Sequence, residues 1–330
     1  MTSSPTMNDV AREAGVALRT VSRYVNGATN IDPLLAARIG AAIDALGYRR
    51  NLAAARIRPG WNSRVLGLII SDLANPYYSV LTRAIEREAS AQGYLLITTS
   101  SEEDGGRHDD LVDRLIEQRV DGLLIVPPNR TEREWSELTG SVPPVVFLDR
   151  PVPGFTADAV LADNTGGSRS AVNALIEAGA RSVAYVGDAT SIYTQMQRMI
   201  GYVHALNDAG LPVRPSLVGT DAHTDVEAAN IVTRLLRDTD TDAVFAANNR
   251  SAIGALQAFR DAGRRLPLIG FDDFDTATLL QPAVSVVTQD VTLMGITAAK
   301  LLIDQLNGIE SEHQDVVLPT TLVLRGSERP

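Results

Sequence analysis

The chain has 330 residues, 45% of them hydrophobic and 21% charged, a composition that supports folded domains and excludes a largely disordered protein. It contains no cysteine and only four scattered histidines, which excludes disulfides, thiolate metal sites, a cysteine nucleophile and an HExxH zinc motif. The formal net charge of -10 is uneven: residues 1–60 hold eight arginines against four acidic residues, a net of +4, and the remainder nets -14.

A basic segment ahead of an acidic body predicts a nucleic-acid module at the N-terminus. Within it, Thr6 and Asp9 form a T-x-x-D capping box opening a helix that carries Val10, Ala11 and Ala14, and Gly15 ends it. A second helix is expected from Leu18 to Val25, stopped by Asn26-Gly27. Val21 and Val25 lie four apart and face inward, while Arg19 and Arg23 share another face. Asp32-Pro33 supplies a cap and a first-turn proline for a third helix with Ile39, Ile43 and Leu46 on one stripe, closed by Gly47. Two short helices, a tight turn and an exposed arginine pair predict a helix-turn-helix DNA reader rather than an ordinary αα-hairpin. Residues 51–58, NLAAARIR, have helix-forming composition but are shorter than the roughly 12–15 residues an isolated helix needs. They are expected to fold on binding.

From Val65 the pattern changes. VLGLIIS, YLLITTS, DGLLIV, PVVFLD, AVLADN, SVAYVG, AVFAAN, LPLIGF and VSVVTQ are strand-like runs separated by amphipathic segments of helix length. This alternation predicts parallel, doubly wound sheets, and the number of runs predicts two α/β lobes rather than one. Ligands in such folds sit beyond the carboxyl ends of the strands, so the cleft between the lobes is the expected site. Asp72, Asp149, Asp163 and Asp272 each end a strand-like run, which suits polar anchors for a hydroxylated ligand. The run SEEDGGRHDD reads as a solvated turn and helix start, not a metal site. No P-loop, GxGxxG or GxSxG motif occurs, and no nucleophile or acid–base pair is evident. The expectation is therefore no enzyme, no cofactor and no metal. The N-terminus lacks an apolar signal-like stretch and no apolar run reaches bilayer length, so a cytoplasmic location and no membrane partner are expected.

With these residues in view, the chain resembles the LacI/GalR family of bacterial transcriptional regulators over nearly its whole length. DVAREAGVALRTVSRYVNG resembles the family's helix-turn-helix, AAIDALGYRRN its approach to the hinge, and GLIISDLANPYY, EQRVDGLLIV, VLADN, RMIGY, AVFAANN and LIGFDD follow in the family's order. The resemblance implies a headpiece over 1–50, a hinge helix and linker over 51–64, and a periplasmic-binding-protein-like core over 65–330. Its lobes are expected at roughly 65–163 with 291–310, and 164–290 with 311–330. It implies a homodimer on a palindromic operator, usually as a repressor, controlled by a small-molecule effector that is usually a carbohydrate.

Carried over by position, Leu18, Arg19 and Arg23 are the expected base readers, with Thr20, Ser22 and Asn26 towards phosphates and Arg56 and Ile57 in the hinge. An arginine suits a guanine edge, and an apolar Ile57 suits a minor-groove wedge. Effector contacts fall on Tyr77, Tyr78, Asp163, Thr194, Arg198, Asn248 and Asp272. Ala17 stands where the family usually has a serine cap, and Asn249 where it usually has an aspartate. The competing reading, a transported-solute binder with the same core, leaves the basic head without a use.

Overall fold

In the computed structural model, residues 5–25, 28, 30–49, 63–129, 135, 142–309 and 312–330 are described. The chain divides into two compact units, 1–62 and 63–330. Asn26 and the hinge positions Arg56 and Ile57 lie outside the described residues.

Among the described residues, the first unit is a cluster of three helices. Helix α1 (Met7–Ala14) begins with the Thr6–Asp9 box: Thr6 accepts from the Asp9 amide, and the Asp9 carboxylate accepts from the Thr6 amide at 2.9 Å. Gly15 then leaves the helix with φ +61. Helix α2 (Leu18–Val25) buries Val21, and helix α3 (Pro33–Leu46) starts at Asp32, whose carboxylate accepts from Leu34 and Leu35. Val10, Val21, Ile39 and Tyr48 form the centre of this small core, with Val25, Ile43 and Leu46 packed on its edge. Arg38 reaches from α3 to donate to the last carbonyls of α1, Ala14 at 2.6 Å and Gly15 at 3.3 Å. That arginine is a helix cap, so not every cation in the basic segment is free for phosphate. Thr6→Ala is expected to cost α1 about 1 kcal/mol. The check is faster amide exchange across Met7–Ala14, and unchanged protection there would remove the box as a stabilising element.

The second unit contains two six-stranded sheets. The first lobe runs β1 (Val65–Ile70), α4 (Pro76–Ala91), β2 (Leu95–Ser100), α5 (Gly105–Glu117), β3 (Gly122–Ile125), β4 (Val145–Leu148) and β5 (Asp158–Ala162). The second runs α6 (Asn164–Glu177), β6 (Val183–Val186), α7 (Tyr193–Asp208), β7 (Val218–Gly219), α8 (Asp225–Asp238), β8 (Ala243–Ala246), α9 (Asn249–Ala262), β9 (Leu268–Phe271) and β10 (Ser285–Gln289). Helix α10 (Val291–Leu306) returns to the first lobe, packing on α4, before β11 (Asp315–Leu318) and β12 (Thr320–Val323).

Strand orders are β11-β5-β4-β3-β1-β2 and β12-β10-β9-β8-β6-β7, parallel throughout except for the antiparallel β10–β12 pair. The two lobes thus repeat one winding. Apart from the last two residues of β10, their inner strands are buried at every position, as the continuous apolar runs predict for sheets covered on both faces.

Two boundaries differ from expectation. Residues 311–318 were expected in the second lobe, but β11 pairs with β5 in the first sheet, from Asp315↔Ala159 to Leu318↔Ala162. The Asp158 carboxylate accepts from the Gln314 amide at 2.9 Å, anchoring the strand there, and the last crossing falls at Pro319. Ser63 and Arg64 were expected in the linker, but both amides donate to the Asp121 carboxylate, at 2.8 and 2.7 Å, and so begin the core unit. Among the described residues, no helix is long and apolar enough to cross a membrane, and no group of three or more His, Cys, Asp or Glu is arranged to hold a metal ion.

Candidate functional site

In the first unit, α2 presents the expected readers. Leu18, Arg19 and Arg23 are exposed, and Thr20 and Ser22 are half-buried beside them. Arg23 donates to both the backbone and the side-chain oxygen of Asn30, so it is held against its own unit. Among the described residues, no hydrogen bond or ion pair of the Arg19 side chain is seen.

In the second unit, the ends of strands from both lobes line one cavity. Asp72 follows β1, Asp149 follows β4, Asp188 follows β6 and Asp272 follows β9. This is the geometry expected of doubly wound sheets, whose crossovers leave the carboxyl ends open. Tyr77, Tyr78, Thr194, Arg198, Asn248 and Asp272 all lie on this wall, six of the seven expected effector positions. Asp163 does not. It is exposed and caps α6 by accepting from the Gly166 amide at 2.8 Å. Its carboxylate serves the start of the next helix.

Arg198 is the most heavily bonded of the set. It is 3% exposed, lies 3.8 Å over the Phe271 ring, and donates to the Asn164 side chain at 2.8 Å and the Ala247 carbonyl at 2.7 Å. Its Nη1 meets the Asp272 carboxylate at 3.1 Å. Asp272 also accepts from Gln289 and sits at φ +67, a left-handed backbone that aspartate tolerates better than most residues. Thr194 and Gln195 open the buried face of α7, and Asn248 caps α9 through the Ser251 amide. Tyr77 and Tyr78 follow the Asn75-Pro76 helix start and stack edge to face, with ring centres 5.0 Å apart. Burial, with the Asp149 charge adding to it, pushes both phenols up, so they stay protonated.

Several cavity residues lie beyond the expected set. Glu103, in the run read as a solvated turn, forms a two-pronged ion pair with Arg150, at 2.7 and 2.9 Å. Burial opposes the Glu103 charge, but Arg150 outweighs it and holds this carboxyl below the usual range. Asp149 is pushed the other way, upward by burial. Its signal was visible in its place at a strand end. The Glu103–Arg150 partnership was not, because 47 residues separate the two.

Among the described residues, three side-chain contacts tie the lobes together across the cleft. Arg250 pairs with Asp72, Asn249 donates to Asn75 at 3.0 Å, and Asn129 donates to Ser191 at 2.8 Å. Arg250→Ala removes the charged one of the three. Because that pair is partly solvated, its loss is worth about 0.2–1 kcal/mol of closure. The expected result is a larger radius of gyration by small-angle scattering, and an unchanged profile would exclude the pair as a closure contact.

Comparison with known proteins follows this geometry. The sequence pattern described as bacterial regulatory proteins of the lacI family matches residues 6–51, and that of a periplasmic binding protein-like domain matches residues 172–328. Catabolite control protein A of Priestia megaterium is 31% identical over 98% of this chain and 99% of its own length. The chain belongs to the LacI family. Its relatives within the family include the HTH-type transcriptional regulator GalS of Salmonella typhimurium (strain LT2), 32% identical over 98% of this chain and 96% of that protein. Among solved structures, a complex of the transcriptional regulator CelR with cellobiose is 31% identical, covers 98% of this chain and 99% of its own, and has a TM-score of 0.74. The Lac repressor dimer bound to operator and the anti-inducer ONPF covers 99% of this chain and 100% of its own with a TM-score of 0.88. At 24% identity it bears on the fold alone. The chain is thus a DNA-binding transcriptional regulator of the LacI family, with the helix-turn-helix unit and two-sheet α/β core read from its sequence.

Proposed function

We propose that this LacI-family regulator is a repressor that binds a palindromic operator as a homodimer, and that a carbohydrate in the interlobe cavity controls it. The observation that carries this reading is the cavity itself. Polar side chains from both lobes converge on it, and Asp72–Arg250 and Asn75–Asn249 span its mouth. A ligand that bridges the lobes alters their spacing, and it shifts DNA affinity only so far as it prefers one arrangement to the other. Hydroxyl-rich ligands suit the carboxylate, amide and guanidinium groups present, with Tyr77 offering an apolar face. The CelR–cellobiose complex supports the carbohydrate class.

On this reading Leu18, Arg19 and Arg23 read bases, and Thr20, Ser22 and Asn26 approach phosphates. Arg56 and Ile57 act in the minor groove. The cavity binds and releases a ligand without transforming it, in a cytoplasmic protein. Dimer symmetry explains how an acidic chain grips DNA, since a small basic head used twice concentrates affinity at two half-sites.

The test is selection of bound duplexes from a random pool at about physiological salt, where nonspecific phosphate binding is weak. The enriched duplex is then titrated with cellobiose, galactose and ribose. An enriched palindrome that one of these sugars releases supports the proposal. Enrichment of a single asymmetric site overturns the dimer, and tighter binding with sugar reverses the sign.

A further inference from the structure

The two lobes carry brackets of the same form. In the first, the Asp121 carboxylate, just ahead of β3, accepts from the Ser63 amide and hydroxyl at 2.8 and 2.9 Å through Oδ1. Its Oδ2 accepts from the Arg64 amide at 2.7 Å. In the second, the Asp242 carboxylate, just ahead of β8, accepts from the Arg181 and Ser182 amides at 2.7 and 2.9 Å. Each bracket ties the two residues that open an inner strand, β1 or β6, to the strand beside it. For the fold its work is the same in both lobes, an acceptor for backbone amides at a strand head.

What precedes the brackets differs. The chain reaches Arg181 from α6 of the same lobe, but it reaches Ser63 from the DNA-binding unit. The first bracket also holds a constrained residue. Arg64 sits at φ +53, a left-handed backbone uncommon outside glycine. Beyond the Asp121 bond, its carbonyl accepts from the Leu95 amide at 2.8 Å and its guanidinium lies 5.0 Å over the Tyr94 ring. From this point β1 runs to the cleft. It is buried at all six positions and paired with β2 and β3, and two residues beyond it Asp72 meets Arg250 of the other lobe. At about 3.3 Å per residue, one packed strand spans the roughly 25 Å between the bracket and the cross-cleft pair. Close packing lets such an element pass a displacement from end to end.

Resting on the reading that lobe spacing controls DNA binding, we propose that Asp121 is a positioning residue for that control. Its bracket makes the exit towards the DNA-binding unit a fixed part of the first lobe. A change of lobe spacing felt at Asp72 is then delivered through β1 to Ser63 and Arg64 instead of being absorbed there. With the bracket broken, the chain at Arg64 turns freely and the lobe movement is lost before it leaves the core. Asp242 makes the matching bonds in the second lobe with no DNA-binding unit ahead of it, so it serves its strand alone.

The experiment is a double-mutant cycle on the full chain, read as affinity for the duplex enriched from the random pool. Arg250→Glu sets a carboxylate against Asp72 and opens the cleft with no ligand needed. Asp121→Asn breaks the bracket, because an amide keeps one accepting oxygen and its nitrogen cannot accept from the second backbone amide. Asp242→Asn is the matched change in the other lobe. Should Asp121→Asn fail to fold, Arg64→Gly loosens the same exit while easing its left-handed backbone. Cleft opening should change the affinity of the otherwise wild-type chain by about 5–150-fold, the usual span of coupling between sites. In Asp121→Asn the change should shrink to less than about three-fold, and in Asp242→Asn it should persist in full. Amide exchange at Ser63 and Arg64 should quicken in Asp121→Asn while β1 stays protected. A cleft-opening factor unchanged by Asp121→Asn overturns the proposal, as does unchanged exchange at those two amides. An equal loss in Asp242→Asn also overturns it, since the bracket would then act through stability alone. If Arg250→Glu binds the duplex as the wild type does, or the wild type enriches no duplex, the underlying reading of control by lobe spacing fails and takes the proposal with it.

Discussion

Arg198→Ala is expected to destabilise the core unit by about 3–5 kcal/mol and to abolish any response of DNA binding to effector. The size follows from what the truncation leaves behind. Asp272 loses its ion pair, Asn164 and the Ala247 carbonyl each lose a donor, and the Phe271 ring loses the guanidinium stacked on it. With Arg198 only 3% exposed, water cannot readily replace these bonds. Removing one member of a buried pair leaves an uncompensated charge, which costs more than the pair contributes. A double replacement, Arg198→Met with Asp272→Asn, should therefore be less destabilising than Arg198→Ala alone. Urea unfolding of the two variants beside the wild type measures this. If Arg198→Ala unfolds at the wild-type midpoint, the Arg198–Asp272 contact is not a stabilising buried pair. Arg198→Lys separates charge from shape: it keeps the cation but loses the planar fork that serves three acceptors together, so stability should recover further than effector response.

The head was legible because its signals are local. Thr6 with Asp9, Asp32 with Pro33, and Gly15 and Gly47 each act within one helical turn, and the described helices start and stop at them. Apolar runs were equally plain where both faces of a strand are covered, as in VLGLII and AVFA. Missed strands share a physical reason. β7 has two residues, and β11 and β12 are sheet-edge strands whose residues are partly or fully exposed, so none shows a buried run. The lobe boundary near residue 310 went wrong for the same reason, since the pairing of β11 with β5 joins segments more than 150 residues apart.

In the cleft, positions were legible and partnerships were not. Of the four aspartates singled out at strand ends, Asp72, Asp149 and Asp272 line the cavity, and Asp163 caps a helix. Glu103 joins Arg150, and Asn75 joins Asn249, only through the winding of the sheets. Asn249 also gives a physical sense to its departure from the family's usual aspartate. An amide there donates to the Asn75 side-chain oxygen across the cleft, which an aspartate cannot do.

Arg19→Ala is expected to weaken operator binding by about 1–3 kcal/mol per half-site, and so by roughly 2–6 kcal/mol for a dimer that engages two. Arg19 is exposed on α2, four residues from Arg23 and on the same face. The two arginines should not behave alike. Arg23 is bonded to Asn30 through both of that residue's oxygens, and those bonds must break before its guanidinium can reach a base edge. Part of what Arg23 gains on DNA therefore replaces bonds it already had, so Arg23→Ala should cost less than Arg19→Ala. Asn30→Ala should then move Arg23 towards the Arg19 value by freeing it beforehand. Salt titrations distinguish base reading from phosphate contact: loss of a base contact lowers affinity with little change in slope, whereas loss of a phosphate contact lowers the slope by about one for each charge removed. Equal losses for Arg19→Ala and Arg23→Ala, unaffected by Asn30→Ala, would mean that the Asn30 contact exerts no restraint. Comparable binding by wild type and Arg19→Ala would place base reading elsewhere on α2.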